Sequence, residues 1–185
     1  MRQSPLESRA PLLGFAAPSG SGKTTLLQSV LPMLLQQGYR VGLIKHAHHA
    51  FEVDQPGKDS YELRKAGACP LLLTSSRRRV LFFDHPVARE PSLGEELVFF
   101  ERENLDILLV EGFKREAFPK IEIHRPSLGL PPLYPDDPWI IAVASNAPLV
   151  PPPNIPVLNL GNPNEVTEFI VKTFLENPSC PPSVK

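Results

Sequence analysis

The sequence predicts an α/β fold: a mostly parallel sheet covered by helices on both faces, with an additional antiparallel strand hairpin. Three observations predict it. Short apolar runs alternate with stretches of helical spacing. Several of those runs are apolar throughout, as strands buried on both faces must be. Two strand-like runs stand back to back in the middle of the chain and interrupt the alternation.

The elements follow in order. "LLGFAA" (Leu12 to Ala17) is a short apolar run that stops at a Pro/Gly/Ser loop, so it reads as a buried strand. After the loop, Leu26, Leu27, Val30 and Leu34 recur at helical spacing, with Gly38 as the stop and Pro32 expected to kink the helix. "RVGLIKH" (Arg40 to His46) is a second strand. "KDSYELRKAG" is a short helix with Asp59 or Ser60 near its cap and Gly67 as its stop. "PLLLTSS" and "RVLFFDH" make the hairpin around Arg77 and Arg78. "SLGEELVFFERE" is helical, with Ser92 as candidate cap. "LDILLVEG" (Leu105 to Gly112) is the clearest buried strand. "PKIEIHRP" alternates and reads as another, "PWIIAVAS" (Pro138 to Ser145) as a buried one and "IPVLNL" as a short one. In "NPNEVTEFIVKTFLEN", Asn162 suits an N-cap and Pro163 the first helical position, while Val166, Phe169, Ile170 and Phe174 share a face.

Composition sets the class. A chain of 185 residues with 42% hydrophobic and 21% charged residues fits one globular domain. The expected organisation is a flexible N-terminus over 1–10, a single nucleotide-binding domain over 11–177 and a Pro-rich flexible tail over 178–185. A net charge of -1 suggests no nucleic-acid or membrane partner. The 23 prolines cluster in Arg125 to Pro138, Ala147 to Pro156 and the tail, which therefore read as loops or loose ends. Two cysteines, Cys69 and Cys180, make neither a disulfide framework nor a metal site. Without a signal-like or membrane-spanning apolar run, the expected compartment is the cytoplasm.

The chemistry concentrates in "PSGSGKTT" (Pro18 to Thr25), set between a strand and a helix. That context marks a phosphate-binding P-loop, and with it a P-loop NTPase-like fold. Ser19, Gly20, Ser21 and Gly22 can turn backbone N–H groups inward on phosphates. The helix N-terminus adds its positive dipole end. Lys23 reaches the β- and γ-phosphates, the Thr24 hydroxyl suits Mg²⁺, and Thr25 continues the loop. Ala17 replaces the usual opening glycine. A small residue is tolerable there if its φ is negative, and Pro18 favours an extended Ala17.

Other residues could complete the site. Glu111 follows four apolar residues at the end of a strand and is the candidate acid for Mg²⁺ or its water shell. Asp106, at the other end of that strand, is expected in a salt bridge or cap. "DQPGKDS" carries a D-x-x-G pattern, Asp54 and Gly57, which in switch loops sits near Mg²⁺ and γ-phosphate but is also a common turn. "KHAHH" brings Lys45, His46, His48 and His49 to a strand end that faces the ligand crevice. Zinc is disfavoured there, because no fourth ligand stands at regular spacing. Contacts to an anion, or solvated loop histidines, fit better. Arg77, Arg78 and Arg79 read as a charged hairpin turn that could also meet phosphate.

Read together, "FAAPSGSGKTTLL", "GLIKHAHHAFEVDQPGKDSYELRKAGA", "LDILLVEGFK", "KIEIHR" and "IIAVAS" resemble, in order and from about Leu12 to Ser145, the MobB family of molybdopterin-guanine dinucleotide biosynthesis adapter proteins. The resemblance implies a dimer formed in part through the extra strands, GTP and Mg²⁺ as ligands, and weak GTP hydrolysis. It also implies a partner, a MobA-like molybdopterin guanylyltransferase that attaches GMP to molybdopterin. Carried onto this chain, it gives Gly20 to Thr25 to the phosphates and Mg²⁺, with Asp54, Gly57 and Glu111 flanking the γ-phosphate and metal. Lys45, His46, His48, His49 and Lys114 would line the crevice where pterin or phosphate could be met. The family often has an acid after its "VAS" strand, where a guanine edge could donate to it. Here that residue is Asn146, whose amide offers one acceptor and one donor group.

Two functional classes fit this pattern. One is a GTP-binding adapter. The other is a small-molecule kinase of the P-loop class, which needs an acceptor base and usually an Arg-bearing lid. No glutamine to orient water and no arginine finger in cis stands out, so slow turnover is expected. A third reading, nucleotide bound only for stability, predicts no partner.

Overall fold

The computed structural model describes residues 6, 8–47 and 51–176. Its elements are β1 (Leu12–Ala16), α1 (Lys23–Gln36), β2 (Val41–Lys45), α2 (Asp59–Lys65), β3 (Leu71–Thr74), β4 (Arg79–Phe82), α3 (Leu93–Leu97), β5 (Ile107–Glu111), β6 (Lys120–His124), β7 (Ile140–Ser145), β8 (Val157–Asn159) and α4 (Pro163–Ile170). The chain divides into two compact units, residues 1–46 with 92–185 and residues 47–91.

The first unit is a six-stranded sheet in the order β2-β5-β1-β6-β7-β8, parallel at every pairing. On one face, Leu13, Phe15 and Ala17 meet Leu26, Leu27, Val30 and Leu34 of α1 and Val166 and Ile170 of α4. These are the apolar positions that the helical spacing marks. α1 runs through Pro32, whose face is exposed. The carbonyl that loses its helical partner is that of Gln28, itself exposed, so water can satisfy it. On the other face, Leu12, Leu108, Val110 and Ile44 pack with Leu93 and Leu97 of α3, Phe113 and Phe118. Ser92 holds the N-cap of α3, and a 3-10 turn, Val98–Phe100, extends it.

Gly14 stands at the centre of β1 for a steric reason. A Cβ there would lie 2.6 Å from Phe118 Cε2 and 2.7 Å from Lys120 Cγ. Both side chains are fully buried and cannot step aside.

The alternation in "KIEIH" promises one polar, solvated face. The structure buries both faces of β6. Ile121 and Ile123 join the α1/α4 core, while Lys120, Glu122 and His124 are buried on the opposite side. The Pro-rich segment 126–138 bonds to this polar face. Glu122 accepts hydrogen bonds from the backbone N–H groups of Leu133 and Tyr134, both at 2.8 Å. Lys120 Nζ donates to Asp137 at 3.0 Å and to the Glu116 carbonyl at 2.8 Å. Burial raises the Glu122 pKa and lowers that of Lys120, each against hydrogen bonds that favour the charged form. A stretch that composition alone marks as loose is tied down by two buried ionisable side chains.

In the second unit, β3 and β4 pair antiparallel as a separate two-stranded sheet. Ser75 Oγ accepts from the N–H groups of Arg77 and Arg78, closing the turn between them. Lys58, in extended backbone, holds the N-cap position of α2, with Asp59 and Glu62 in its first turn. Arg64 links the parts of this unit. It pairs with Glu52 at 2.9 Å and Asp84 at 3.2 Å and lies 4.8 Å above the Phe82 ring. Leu72, Leu73, Leu81 and Phe83 are exposed. Because Leu72 and Leu73 are consecutive in a strand, they point to opposite faces, so both faces of the ribbon carry apolar surface. Among the described residues, Cys69 is a free, exposed cysteine. No helix among them is long and apolar enough to cross a membrane.

Asp106 precedes β5 and pairs with Arg40 at 2.8 Å, as its place at that strand end predicts. Hydrogen bonds from the Arg40 guanidinium, and then from its backbone N–H, hold the Asp106 carboxyl at about 2 instead of 3.8. A lowered carboxyl pKa stabilises the fold above the unfolded value and loses that contribution as pH falls through the folded one. Urea unfolding of wild type and Asp106→Asn should therefore differ by a constant amount above about pH 5, with the difference closing as pH falls from about 4 towards 2. For Gly14→Ala the same measurement should show a loss of about 1–3 kcal/mol, the cost of overpacking a closed core.

Candidate functional site

An all-parallel sheet brings every strand's carboxyl end to one edge, and the loop after β1 lies in the middle of that edge. β5 and then β2 flank it on one side, β6 and then β7 on the other.

The loop has the backbone that phosphate binding asks for. Gly20 and Gly22 hold φ at +76° and +95°, and Gly22 is the left-handed N-cap of α1. No side chain caps α1, and its first turn carries no acid. The N–H groups at its start are thus left for a ligand, with the positive end of the helix dipole behind them. Ala17 is fully buried, and among the described residues Phe113 alone of the non-glycines has a positive φ. The condition for Ala in place of the opening glycine is met. The Ser21 side chain is buried and donates to the Pro18 carbonyl at 2.8 Å. Thr24 and Thr25, in the first turn of α1, are exposed. Ser19 and Gly20 are exposed in the loop before them.

Lys23 folds back over this loop, its Nζ donating to the carbonyls of Ala17 and Pro18 at 3.2 Å each. Its pKa is lowered, chiefly by burial. Glu111 opposes the shift, and the neighbouring Lys114 and Lys45 add to it. Glu111 is largely buried at the end of β5 and pairs with Lys45 Nζ at 3.4 Å. Lys23 thus feels one carboxylate and two further ammonium groups. Burial is what chiefly disfavours the protonated Lys23, and an anion in the loop would favour it. That donor set, the two left-handed glycines and the uncapped helix fit a nucleotide polyphosphate. Thr24 and Glu111 are the oxygen donors that could hold Mg²⁺ or its water shell.

Beyond Glu111 the chain turns sharply. Phe113 holds φ at +49° and stacks on His46, ring centroids 4.8 Å apart. Left-handed backbone at a bulky residue persists only where surroundings impose it. This contact holds the His46 ring, just past β2, against the turn that follows β5. Asn146 follows β7 at the same edge and is exposed. Ser145 Oγ, which both accepts from and donates to the Ala147 backbone, shapes the turn around it.

Not every expected residue falls in this group. Asp54 and Gly57 belong to the second unit. There Asp54 Oδ1 accepts from Ser60 Oγ at 3.1 Å and from the Gln55 N–H at 3.0 Å, while Oδ2 is buried with no partner. His48 and His49 lie outside the described residues. Among the described residues, no cluster of three His, Cys, Asp or Glu could hold a metal ion.

One residue was not foreseen. Arg125, just past the end of β6, donates from Nε to the Ser21 carbonyl at 2.7 Å. Its Nη2 would stand 3.1 Å from a Cβ at Gly22. An arginine in cis is therefore at the loop, although no sequence spacing links positions 21 and 125. The available signal was "KIEIHR", an arginine at the carboxyl end of an inner strand.

Comparison with known proteins agrees with this geometry. The model of the family MobB, molybdopterin guanine dinucleotide synthesis protein B, matches residues 12–146. A molybdopterin-guanine dinucleotide biosynthesis adapter protein of Escherichia coli (strain K12) is 44% identical over 163 residues, 88% of this chain and 92% of that protein. One from Haemophilus influenzae is 41% identical over 144 residues, covering 78% and 79%. The crystal structure of Bacillus subtilis MobB superposes with a TM-score of 0.68 at 23% identity, over 88% of this chain and 96% of that one, a likeness of fold. With a family match over most of its length and close relatives along nearly all of it, this P-loop-type α/β chain belongs to the MobB family.

Proposed function

We propose that this protein is a GTP-binding adapter in molybdopterin guanine dinucleotide biosynthesis, and that it assists a MobA-like guanylyltransferase acting on molybdopterin. The observation that carries the nucleotide reading is the uncapped, acid-free start of α1 behind two left-handed glycines, faced by Lys23, Lys45 and Lys114. The names of the relatives supply the pathway. In this reading Ser19 to Thr25 hold the phosphates. Bound Mg²⁺ would neutralise charge on the β- and γ-phosphate oxygens. Lys45 and Lys114 neutralise the outer phosphates or a pterin phosphate, and His46 is held in the same crevice by Phe113. In this reading Asn146, exposed after β7, would meet the base.

Hydrolysis is slow in this reading, because no described residue is placed to activate water. A homodimer in the cytoplasm, with no nucleic-acid or membrane partner, completes the proposal. Its support is the β3–β4 ribbon, apolar on both faces, since an isolated two-stranded ribbon gains little stability alone.

The test is calorimetric titration with Mg-GTP and Mg-ATP, with and without the molybdopterin guanylyltransferase. Wild type should bind Mg-GTP in preference to Mg-ATP and form a ternary complex with the enzyme. Lys23→Ala should weaken Mg-GTP binding by roughly 10- to 100-fold, the worth of a charge-assisted phosphate contact. Equal affinity for both nucleotides without a ternary complex would reduce the site to a stabilising ligand site. Rapid phosphoryl transfer to a metabolite, with no partner present, would instead favour a P-loop kinase.

A further inference from the structure

We infer that Arg125 is a positioning residue for the phosphate loop: it fixes the Ser21–Gly22 peptide so that the Gly22 N–H faces the bound phosphates. The inference rests on the nucleotide reading above and names a determinant of that site which lies 104 positions away in sequence.

The peptide plane supplies the reasoning. In a trans peptide the C=O and the following N–H point in opposite directions. Arg125 Nε holds the Ser21 carbonyl at 2.7 Å on the β6 side of the loop. The Gly22 N–H of the same peptide is thereby turned away from Arg125. Gly22 holds φ at +95°, and its carbonyl accepts the first helical bond of α1, from Leu26 N–H at 2.9 Å. The peptides on either side of Gly22 are therefore both held, the first by the guanidinium and the second by the helix. A side chain at position 22 would meet Arg125 Nη2 at 3.1 Å, so glycine and arginine fit as a pair. Arg125 is itself fixed, because it directly follows β6, whose Lys120 and Glu122 bind the 126–138 segment. Neither Nη makes a hydrogen bond among the described residues. The Nε bond is thus the contact that places the guanidinium.

A clamp of this kind pre-organises the loop. It acts on groups facing the whole phosphate chain, so di- and triphosphate should depend on it alike. A purely electrostatic role would weigh more on the triphosphate and would be satisfied by lysine. A lysine keeps the charge, but it carries no nitrogen at the Nε position and no planar fork.

The test uses the full chain and Arg125→Gln and Arg125→Lys, titrated with Mg-GTP and GDP, with thermal unfolding recorded for each. The expected result is an affinity about 10-fold lower for both nucleotides in both variants, with melting temperatures close to wild type and no rescue by lysine. The Gly22 amide NMR resonance should move on GDP binding in wild type and move less in the variants. Unchanged affinity in a folded variant overturns the inference. So does a loss confined to the triphosphate and restored by Arg125→Lys, which would make Arg125 a charge contact. If Arg125→Gln does not fold, Arg125→Lys and the Gly22 resonance decide the matter. Failure of wild type itself to bind either nucleotide overturns the nucleotide reading, and this inference with it.

Discussion

The structure depends on the burial of β1 at the heart of an all-parallel sheet. With β5 on one side and β6 on the other, β1 spends its backbone hydrogen bonds on neighbours and packs apolar side chains on both faces. Only where β1 ends can the backbone turn polar groups outward, and there it enters the phosphate loop. Parallel strands then deliver the ends of β2, β5, β6 and β7 to the same edge. The lysines, Glu111, Arg125 and Asn146 come to one edge of the sheet because of this topology, although they are spread over 124 positions from Lys23 to Asn146.

The close approach at Gly14 belongs to the same constraint. Phe118 and Lys120 press against β1 where a side chain would otherwise stand. That contact lets the stretch leading into β6 lie flat on the sheet. β6 then carries two functions on its two faces. Its isoleucines fill the core, and its charged side chains hold the Pro-rich segment. Burying a carboxylate and an ammonium is costly unless their hydrogen bonds are met, and here backbone N–H and C=O groups meet them. The segment after Arg125 is ordered by this arrangement, so the arginine is held at both sides as it reaches the loop.

Around Lys23 stand one carboxylate, Glu111, and two further lysines, Lys45 and Lys114, with the positive end of the helix dipole beside them. Glu111 is engaged by Lys45. The second unit has a different organisation: Arg64 of a short helix joins the loop before it, at Glu52, to the end of the hairpin, at Phe82 and Asp84, through ion pairs and a ring contact.

How much of this was legible in the sequence follows from the range of each interaction. The strand–loop–helix around Lys23, the strand ending at Glu111, the hairpin and the C-terminal helix are local patterns, set by apolar spacing and by glycine and proline placement. So is the tolerance of Ala17, which Pro18 decides. By itself, then, the sequence determined the fold class, the phosphate loop and the family. Only the tertiary structure decided that Gly14 is a packing glycine, that the polar face of β6 is buried under a Pro-rich segment, and that Arg125 grips the loop. Each of these joins residues with no fixed spacing along the chain. Their meeting is dictated by strand order, and strand order is a property of the folded sheet.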